Sequence, residues 1–142
     1  MIRKLQTKDL PQLSNLYQQF WNEESNLAMM KQTFDNLKSN NLYMLLGFFE
    51  NDTLLGSVMG IVCYELYGDC FPFLVLENMI VDKNHRKKGI GKILIKELEK
   101  QAKEKGCKQI ILVTEANRID ACAFYEAVGF HPTANKGYKK KL

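Results

Sequence analysis

The chain has 142 residues, 46% of them hydrophobic and 25% charged, a composition typical of a folded globular protein that excludes a disordered chain. Its formal charge of +4 is mild and does not by itself indicate a nucleic-acid partner. No run approaches the roughly 18 apolar residues of a membrane span, and Met1 to Gln6 lacks the apolar run of a signal peptide. We therefore expect a cytoplasmic protein with no membrane partner. Because no repeat or Pro/Gly-rich linker interrupts the sequence, we expect one domain over residues 1–142.

The residue types that bind metals are few and scattered. They stand at Cys63, Cys70, Cys107, Cys122, His85 and His131. No two of them form a Cys-x-x-Cys pair or the close spacing that a zinc site needs. This pattern indicates thiols in a reducing compartment, and we expect no bound metal.

The N-terminal part predicts a short strand followed by two helices. Ile2 to Leu5 is the strand. Asp9, with Pro11 soon after it, is typical of a helix cap, and apolar residues then recur at helical spacing as far as Trp21. The same spacing predicts a second helix over Asn26–Ser39.

The rest of the chain predicts strands and then alternating helices and strands. Phe73 to Val81 is an apolar run typical of a strand covered on both faces. The other predicted elements are strands at Tyr43–Phe49 and Leu55–Tyr64, a helix from Gly89 to Gly106, a strand at Gln109–Val113, a helix at Asp120–Val128 and a last strand at Tyr138–Leu142. This order predicts a single-domain α/β fold with a mixed three-layer sheet, in which residues 73–113 form a right-handed parallel crossover.

The loop from Val81 to Lys92, VDKNHRKKGIGK, is the most informative segment. It leads from a buried strand into the first turn of a helix, where unpaired N–H groups and the helix dipole favour an anion. Gly89 and Gly91 leave room for a phosphate beside the backbone. Arg86 and the neighbouring lysines add charge-assisted contacts.

Other phosphate-binding motifs do not fit this loop. A P-loop requires Gly-x-x-x-x-Gly-Lys-Ser/Thr, whereas Ile93 follows Gly91-Lys92 and the upstream glycine is missing. A dinucleotide fold requires Gly-x-Gly-x-x-Gly early in the chain. Nucleic-acid binding through Lys83–Lys92 and Lys139–Lys141 is a further alternative. Since no aromatic-rich RNA motif or recognition helix accompanies these lysines, we expect no nucleic-acid partner.

Two motifs together resemble those of the GNAT superfamily of acetyltransferases. Arg86-x-x-Gly89-x-Gly91 after an apolar strand is similar to that family's pyrophosphate-binding motif. Phe124–Phe130, FYEAVGF, is similar to its second signature. The resemblance covers Phe73 to Phe130 and implies the acyl-CoA N-acyltransferase fold. It also implies an N-acetyltransferase that uses acetyl-CoA as donor and an amine as acceptor, without naming that amine.

The resemblance further implies which residues would hold the donor. The backbone of Met79, Ile80 and Val81 would meet the pantetheine arm, and Arg86 would open the pyrophosphate motif. The residues that would wrap the pyrophosphate are Lys87, Lys88, Gly89, Ile90, Gly91 and Lys92. Asn117 stands where the family often contacts the pantetheine, although its interval to Tyr125 is one residue longer than the commonest pattern.

Two side chains are candidates for the proton transfers. An alkyl amine with a pKa of about 10.4 is neutral in about one part in 2,500 at pH 7, so the site must take its proton. Glu77 is the candidate base, because a charge in an apolar strand is costly unless it is paired or used; the alternative is a solvent-facing or structurally paired residue. The resemblance makes Tyr125 the candidate acid for the departing thiolate, with a packed aromatic as the alternative.

We expect direct attack of the amine within a ternary complex. A backbone N–H at Ile80 or a neighbouring residue would polarise the thioester carbonyl. Cys122 offers a covalent route instead, but no histidine is visibly placed to activate it, so a small helix residue is the favoured interpretation.

Two stretches are candidates for binding the acceptor. Trp21, Glu23 and Glu24 stand near the junction of the first two predicted helices, and residues 64–69 read YELYGD. Carboxylates beside aromatic rings suit a cation such as a polyamine, an aminosugar or a protein amine, although such surface residues are commonly just solvated. The sequence leaves open whether the protein is a monomer or a homodimer. The rival function is a non-catalytic acyl-CoA-binding regulatory module on the same fold.

Overall fold

The computed structural model describes all residues from Met1 to Leu142, which group into two compact units, Met1–Ile111 and Leu112–Leu142. The first unit contains β1 (Ile2–Lys4), α1 (Leu10–Trp21), α2 (Leu27–Leu37), β2 (Tyr43–Glu50), β3 (Thr53–Cys63), β4 (Phe73–Val81), α3 (Ile90–Glu104) and β5 (Ile110–Ile111). The second unit contains α4 (Ile119–Ala127). The single domain over residues 1–142 stays a prediction. No helix in the structure is both long enough and apolar enough to cross a bilayer.

The five strands form one mixed sheet in the order β1-β2-β3-β4-β5. The first four pair antiparallel, whereas β4 and β5 pair parallel, as the crossover through α3 predicts. The β2–β3 turn is made by Asn51 and Asp52, which both adopt positive φ angles of 47° and 62°. Asn and Asp tolerate this conformation better than most residues, which explains why the polar turn lies here.

Helices cover both faces of the sheet, which confirms the predicted three-layer α/β architecture. On one face, α1 and α2 pack on a cluster made of Leu5, Leu10, Leu13, Leu16, Phe34, Phe49, Leu54 and Ile80. On the other face, α3 lies close to β3, since a Cβ added to Gly60 would be 2.6 Å from Leu98 Cδ1. Apolar periodicity thus predicted both layers of the core.

Asp9 lies at the N-cap position of α1 with Pro11 in the first turn, as predicted, but its side chain makes no capping hydrogen bond to that helix. Helical conformation already begins in a 3₁₀ turn at Thr7–Asp9, and Asp9 lies inside it rather than before it. Its buried carboxylate instead accepts hydrogen bonds from Arg3 Nη1 at 2.6 Å, Arg3 Nη2 at 2.9 Å and the Gln6 N–H at 2.7 Å. The bonded guanidinium lowers the pKa of Asp9 despite its burial. Asp9 therefore ties β1 to the start of α1.

The end of the chain differs most from the prediction. Residues 138–142 form no strand, and β5 is two residues long rather than five. Lys139, Lys140 and Lys141 follow one another without an apolar residue between them, so this segment lacks the alternation that a half-buried strand needs. The sheet consequently has five strands and ends at β5.

Candidate active site

β4 carries a bulge at its centre. Glu77 pairs with Met59 and Ile80 with Ser57, so two residues of β4 lie opposite one residue of β3. Asn78, within the bulge, has a φ of 49°, a left-handed conformation that asparagine tolerates. Bulges re-aim the side chains of a strand, and this one separates the well-packed first half of β4 from its second half.

The second half of β4 has an open edge. Pairing with β5 stops at Val75 and Ile111, so residues 76–81 have no β5 partner. On the opposite edge the strand still follows β3 as far as Val81. The backbone N–H and C=O groups of these residues that point away from β3 therefore have no neighbouring strand to pair with, and a ligand can form hydrogen bonds with them.

The direction of individual backbone groups follows from one hydrogen bond. The Asp82 N–H donates to the Leu55 carbonyl at 2.9 Å, so it points toward β3. Because neighbouring residues of a strand alternate, the backbone groups of Val81 and Met79 point to the open edge. The hydrogen bond of the Val81 carbonyl supports this direction. The carbonyl accepts from Arg86 Nε at 3.2 Å, in the loop after β4, and not from β3.

The loop after β4 opens α3 with free N–H groups. Lys87 has a φ of 62° and Gly89 a φ of 83°. Gly89 is the N-cap and supplies no side-chain capping bond, and the first helical hydrogen bond runs from the Ile93 N–H to the Gly89 carbonyl at 3.0 Å. The N–H groups of the first turn, among them those of Ile90 and Gly91, have no partner within the helix. Left-handed residues next to such a turn are typical of a backbone nest for an anion.

The side chains around this turn suit the same ligand. Ile90 and Gly91 are buried and anchor the turn, whereas the basic residues Arg86, Lys87, Lys88 and Lys92 are exposed. Free N–H groups, a helix N-terminus and nearby cations are the hydrogen-bond donors and charges that a diphosphate needs, so the residues of this loop fit the diphosphate of an acyl-CoA substrate. No group of three or more His, Cys, Asp or Glu residues that could hold a metal ion occurs in the structure.

Asp82 organises the start of the loop. Its carboxylate accepts hydrogen bonds from His85 Nδ1 at 2.7 Å, the Asn84 N–H at 3.0 Å and Gln19 Nε2 at 2.9 Å. The hydrogen bond from His85 and then that from Gln19 lower the pKa of Asp82. Gln19 belongs to α1, and the Lys83 N–H donates to its Oε1 at 2.9 Å. Sequence reasoning missed Gln19, because a glutamine on the exposed face of a helix carries no signal of a distant partner.

Glu77 lies at the bulge and is exposed. The apolar run around it predicted a strand covered on both faces, and that expectation was wrong for this half of β4. Its carboxylate forms no salt bridge and no side-chain hydrogen bond in the structure, so its charge is not held by a structural partner. The open edge next to Met79 and Val81 is on the same strand.

The other two predicted site residues lie in the second unit. Tyr125, on α4, is half-buried, and its ring contacts those of Phe124 and Phe130 with centroids 5.4 Å and 5.7 Å apart. Asn117 is exposed before α4, where its carbonyl accepts the Ile119 N–H at 3.0 Å. Cys122 is half-buried, and its thiol lies 4.0 Å from the Glu115 carbonyl.

Exposed aromatic side chains mark the predicted acceptor regions. At the end of α1, the Trp21 ring meets Tyr17 and Phe20 edge to face, and 48% of Trp21 remains exposed. Burial raises the pKa of Tyr17 to about 12, so its phenol stays protonated at physiological pH. Tyr64 and Tyr67, in the second region, are also exposed.

Comparisons with known proteins identify the class to which this fold and site belong. Residues 10–130 match the model of the acetyltransferase (GNAT) family, and the chain therefore belongs to that family. The chain is 28% identical over 111 residues to YobR, an uncharacterised Bacillus subtilis N-acetyltransferase, a match covering 78% of this chain and 41% of that one. It spans less than half the length of the curated relatives it matches.

Solved structures show the same fold over the whole chain. A protein from Agrobacterium tumefaciens with a provisional acetyltransferase name has a TM-score of 0.92 at 21% identity, covering 100% of this chain and 99% of that one. Glucosamine-6-phosphate N-acetyltransferase from Arabidopsis thaliana has a TM-score of 0.83 at 20% identity, covering 99% and 97%. The family and the fold that the two sequence motifs predicted are thereby confirmed.

Proposed function

We propose that this protein transfers an acetyl group from acetyl-CoA to a primary amine, by direct attack within a ternary complex. Membership of the acetyltransferase family supports acetyl transfer. The observation that carries the donor assignment is the uncapped N-terminus of α3, which begins at a left-handed Gly89 among exposed basic side chains.

In the proposed complex, the diphosphate of acetyl-CoA binds to the N–H groups of the first turn of α3. Lys87, Lys88 and Lys92 screen its charge, and Asn117 adds a contact to the pantetheine arm. The arm runs along the open edge of β4 as an added strand, exchanging hydrogen bonds with the backbone of Met79 and Val81. Ile80 supports this edge from the core, since its side chain packs in the α1–α2 cluster.

The same edge polarises the thioester in this proposal. The Met79 N–H points to the open side and donates to the carbonyl oxygen as negative charge develops there. Alternation along β4 favours Met79 over Ile80, whose backbone groups face β3. A backbone donor already directed at the carbonyl oxygen spares the reorganisation that water would need.

Glu77 and Tyr125 complete the proposed chemistry. Glu77, exposed and unpaired at the bulge, takes the proton of the ammonium directly or through a water. As the C–S bond breaks, Tyr125 donates its phenolic proton to the departing thiolate of coenzyme A, and the second proton that the nitrogen loses on becoming an amide restores the phenol. A covalent route through Cys122 is less well supported, because His85 is engaged by Asp82 and the Nδ1 of His131 accepts the Thr133 and Ala134 N–H groups.

We propose a cationic acceptor such as a polyamine, an aminosugar or a protein amine. The exposed ring of Trp21 is followed closely in the sequence by the exposed carboxylates Glu23 and Glu24, and aromatic rings and carboxylates both attract ammonium groups. Turnover measured over a panel of cationic, neutral and anionic amines tests this assignment. A clear preference for anionic acceptors would overturn it.

An assay of thiol release from acetyl-CoA tests the proposed chemistry. Tyr125→Phe should retain the donor affinity but lower turnover by about 10²-fold, and Glu77→Gln should lower turnover by at least about tenfold. Matched control variants are Tyr138→Phe and Glu104→Gln, which alter exposed residues of the same types. An unchanged rate in Tyr125→Phe would remove Tyr125 from the mechanism. Donor binding without turnover of any amine would favour the non-catalytic acyl-CoA-binding module.

A further inference from the structure

We infer that Gln19 is a positioning residue for the donor loop, acting through its paired hydrogen bonds to Asp82 and Lys83. This inference rests on the proposed function, because the loop that Gln19 holds is the proposed diphosphate site. Gln19 lies on α1, which is remote in sequence from the loop and also carries the Phe20–Trp21 aromatic pair.

The side-chain amide of Gln19 has one orientation that satisfies both contacts. Its Nε2 donates to Asp82 Oδ2 at 2.9 Å, and its Oε1 accepts the Lys83 N–H at 2.9 Å. A carboxylate can accept but not donate, and a backbone N–H can donate but not accept, so reversing the amide would lose both bonds. The other carboxylate oxygen of Asp82 is already occupied by His85 Nδ1 and the Asn84 N–H.

These bonds set where the loop leaves β4. Asp82 is the N-cap of the 3₁₀ turn Lys83–His85, and that turn leads directly into Arg86 and the left-handed Lys87. A loop start that is free to rotate would present the N–H groups of the α3 turn in many directions and would lose entropy on binding. Gln19 therefore acts on donor affinity without touching the donor, and it connects the loop to the helix that bears the proposed acceptor surface.

Exchanging the hydrogen-bond donor and acceptor between Gln19 and Asp82 tests the positioning role of Gln19 directly. Gln19→Glu keeps the acceptor for Lys83 but places a second carboxylate 2.9 Å from Asp82 Oδ2. Adding Asp82→Asn turns the repelling oxygen into an N–H donor while Oδ1 still accepts from Asn84 and His85, and it restores the wild-type net charge. Gln18→Glu is the matched control, since it adds the same charge one position away at an exposed residue.

Titration calorimetry with acetyl-CoA should show Gln19→Glu binding on the order of tenfold more weakly than the wild type. Gln18→Glu should stay within about twofold, and the double variant should return to within about threefold of the wild type. In kinetics the KM for the donor should rise in Gln19→Glu while kcat at saturating donor changes by less than about twofold.

Three outcomes are distinguishable. If the wild type binds acetyl-CoA but Gln19→Glu binds as well as Gln18→Glu, the positioning role is wrong and the proposed function stands. If Gln19→Glu is weak and the double variant is equally weak, the hydrogen-bonded pair is not the cause and the inference is also refuted. If the wild type does not bind acetyl-CoA, the proposed function fails and the inference fails with it.

Discussion

Replacing Gly89 with alanine separates backbone strain from loss of the proposed phosphate contact. At a φ of 83° an L-residue costs about 1 to 2 kcal/mol, and a Cβ at this position meets no protein atom within 4 Å. The methyl group therefore strains the loop but clashes with nothing except a ligand seated against the backbone. We expect the free energy of unfolding in urea to fall by about 1 kcal/mol, and acetyl-CoA binding by calorimetry to weaken by at least about tenfold.

Gly106 provides the matched control at the other end of α3. It has a φ of 79°, and a Cβ there also meets nothing within 4 Å. Gly106→Ala should therefore lose about the same 1 kcal/mol of stability yet bind acetyl-CoA within about twofold of the wild type. Equal loss of binding in the two variants would show that strain or partial unfolding is responsible. Unimpaired binding by Gly89→Ala would refute the assignment of the phosphate site.

Three further substitutions test packing, electrostatics and the second unit. Asp9→Asn should lower the free energy of unfolding at pH 7 by about 1 to 2 kcal/mol by removing a charge-assisted pair with Arg3. Because that pair lowers the pKa of Asp9, the loss should fade as the pH falls below about 4 in urea denaturation; a difference independent of pH would contradict it. Gly60→Ala should cost about 1 to 3 kcal/mol, since its Cβ would lie 2.6 Å from Leu98 Cδ1, and unchanged stability would contradict that tight packing. Asn117→Ala should raise the KM for acetyl-CoA several-fold, whereas an unchanged KM would exclude a pantetheine contact.

Apolar periodicity predicted most of the fold because it reports burial directly. The strand predicted at Phe73–Val81 has the same bounds in the structure, and the helix predicted from Gly89 to Gly106 is observed at Ile90–Glu104. The strands predicted at Tyr43–Phe49 and Leu55–Tyr64 are observed as β2 and β3, which pair from Tyr43 and Ile61 to Glu50 and Thr53. Glycines with positive φ at 89 and 106 mark both ends of α3, as their side-chain-free backbone allows.

The predictions failed where the surroundings of a residue depend on the three-dimensional structure and not on its neighbours in sequence. Asp9 lies at the predicted N-cap position of α1, but its carboxylate binds Arg3 and the Gln6 N–H and makes no capping hydrogen bond to that helix. Glu77 stands in an apolar run, and sequence alone does not reveal that a bulge at Asn78 opens that half of β4.

The sequence alone singled out the candidate donor loop, because glycines, basic residues and a helix start adjoin one another in it. The hydrogen bonds from Gln19 to the start of this loop were not predictable in the same way. Gln19 is one of several polar residues on the outer face of α1, and its partners Asp82 and Lys83 are distant in the chain. A hydrogen bond between side chains so far apart in sequence leaves no periodic pattern, so the three-dimensional structure was needed to find it.

The central claim is that the uncapped start of α3 binds the diphosphate of an acyl-CoA donor. Calorimetric titration of the wild-type protein with acetyl-CoA tests this claim most directly. We expect a single site with a Kd on the order of micromolar. Absence of binding to acetyl-CoA and to every longer acyl-CoA tried would contradict the claim.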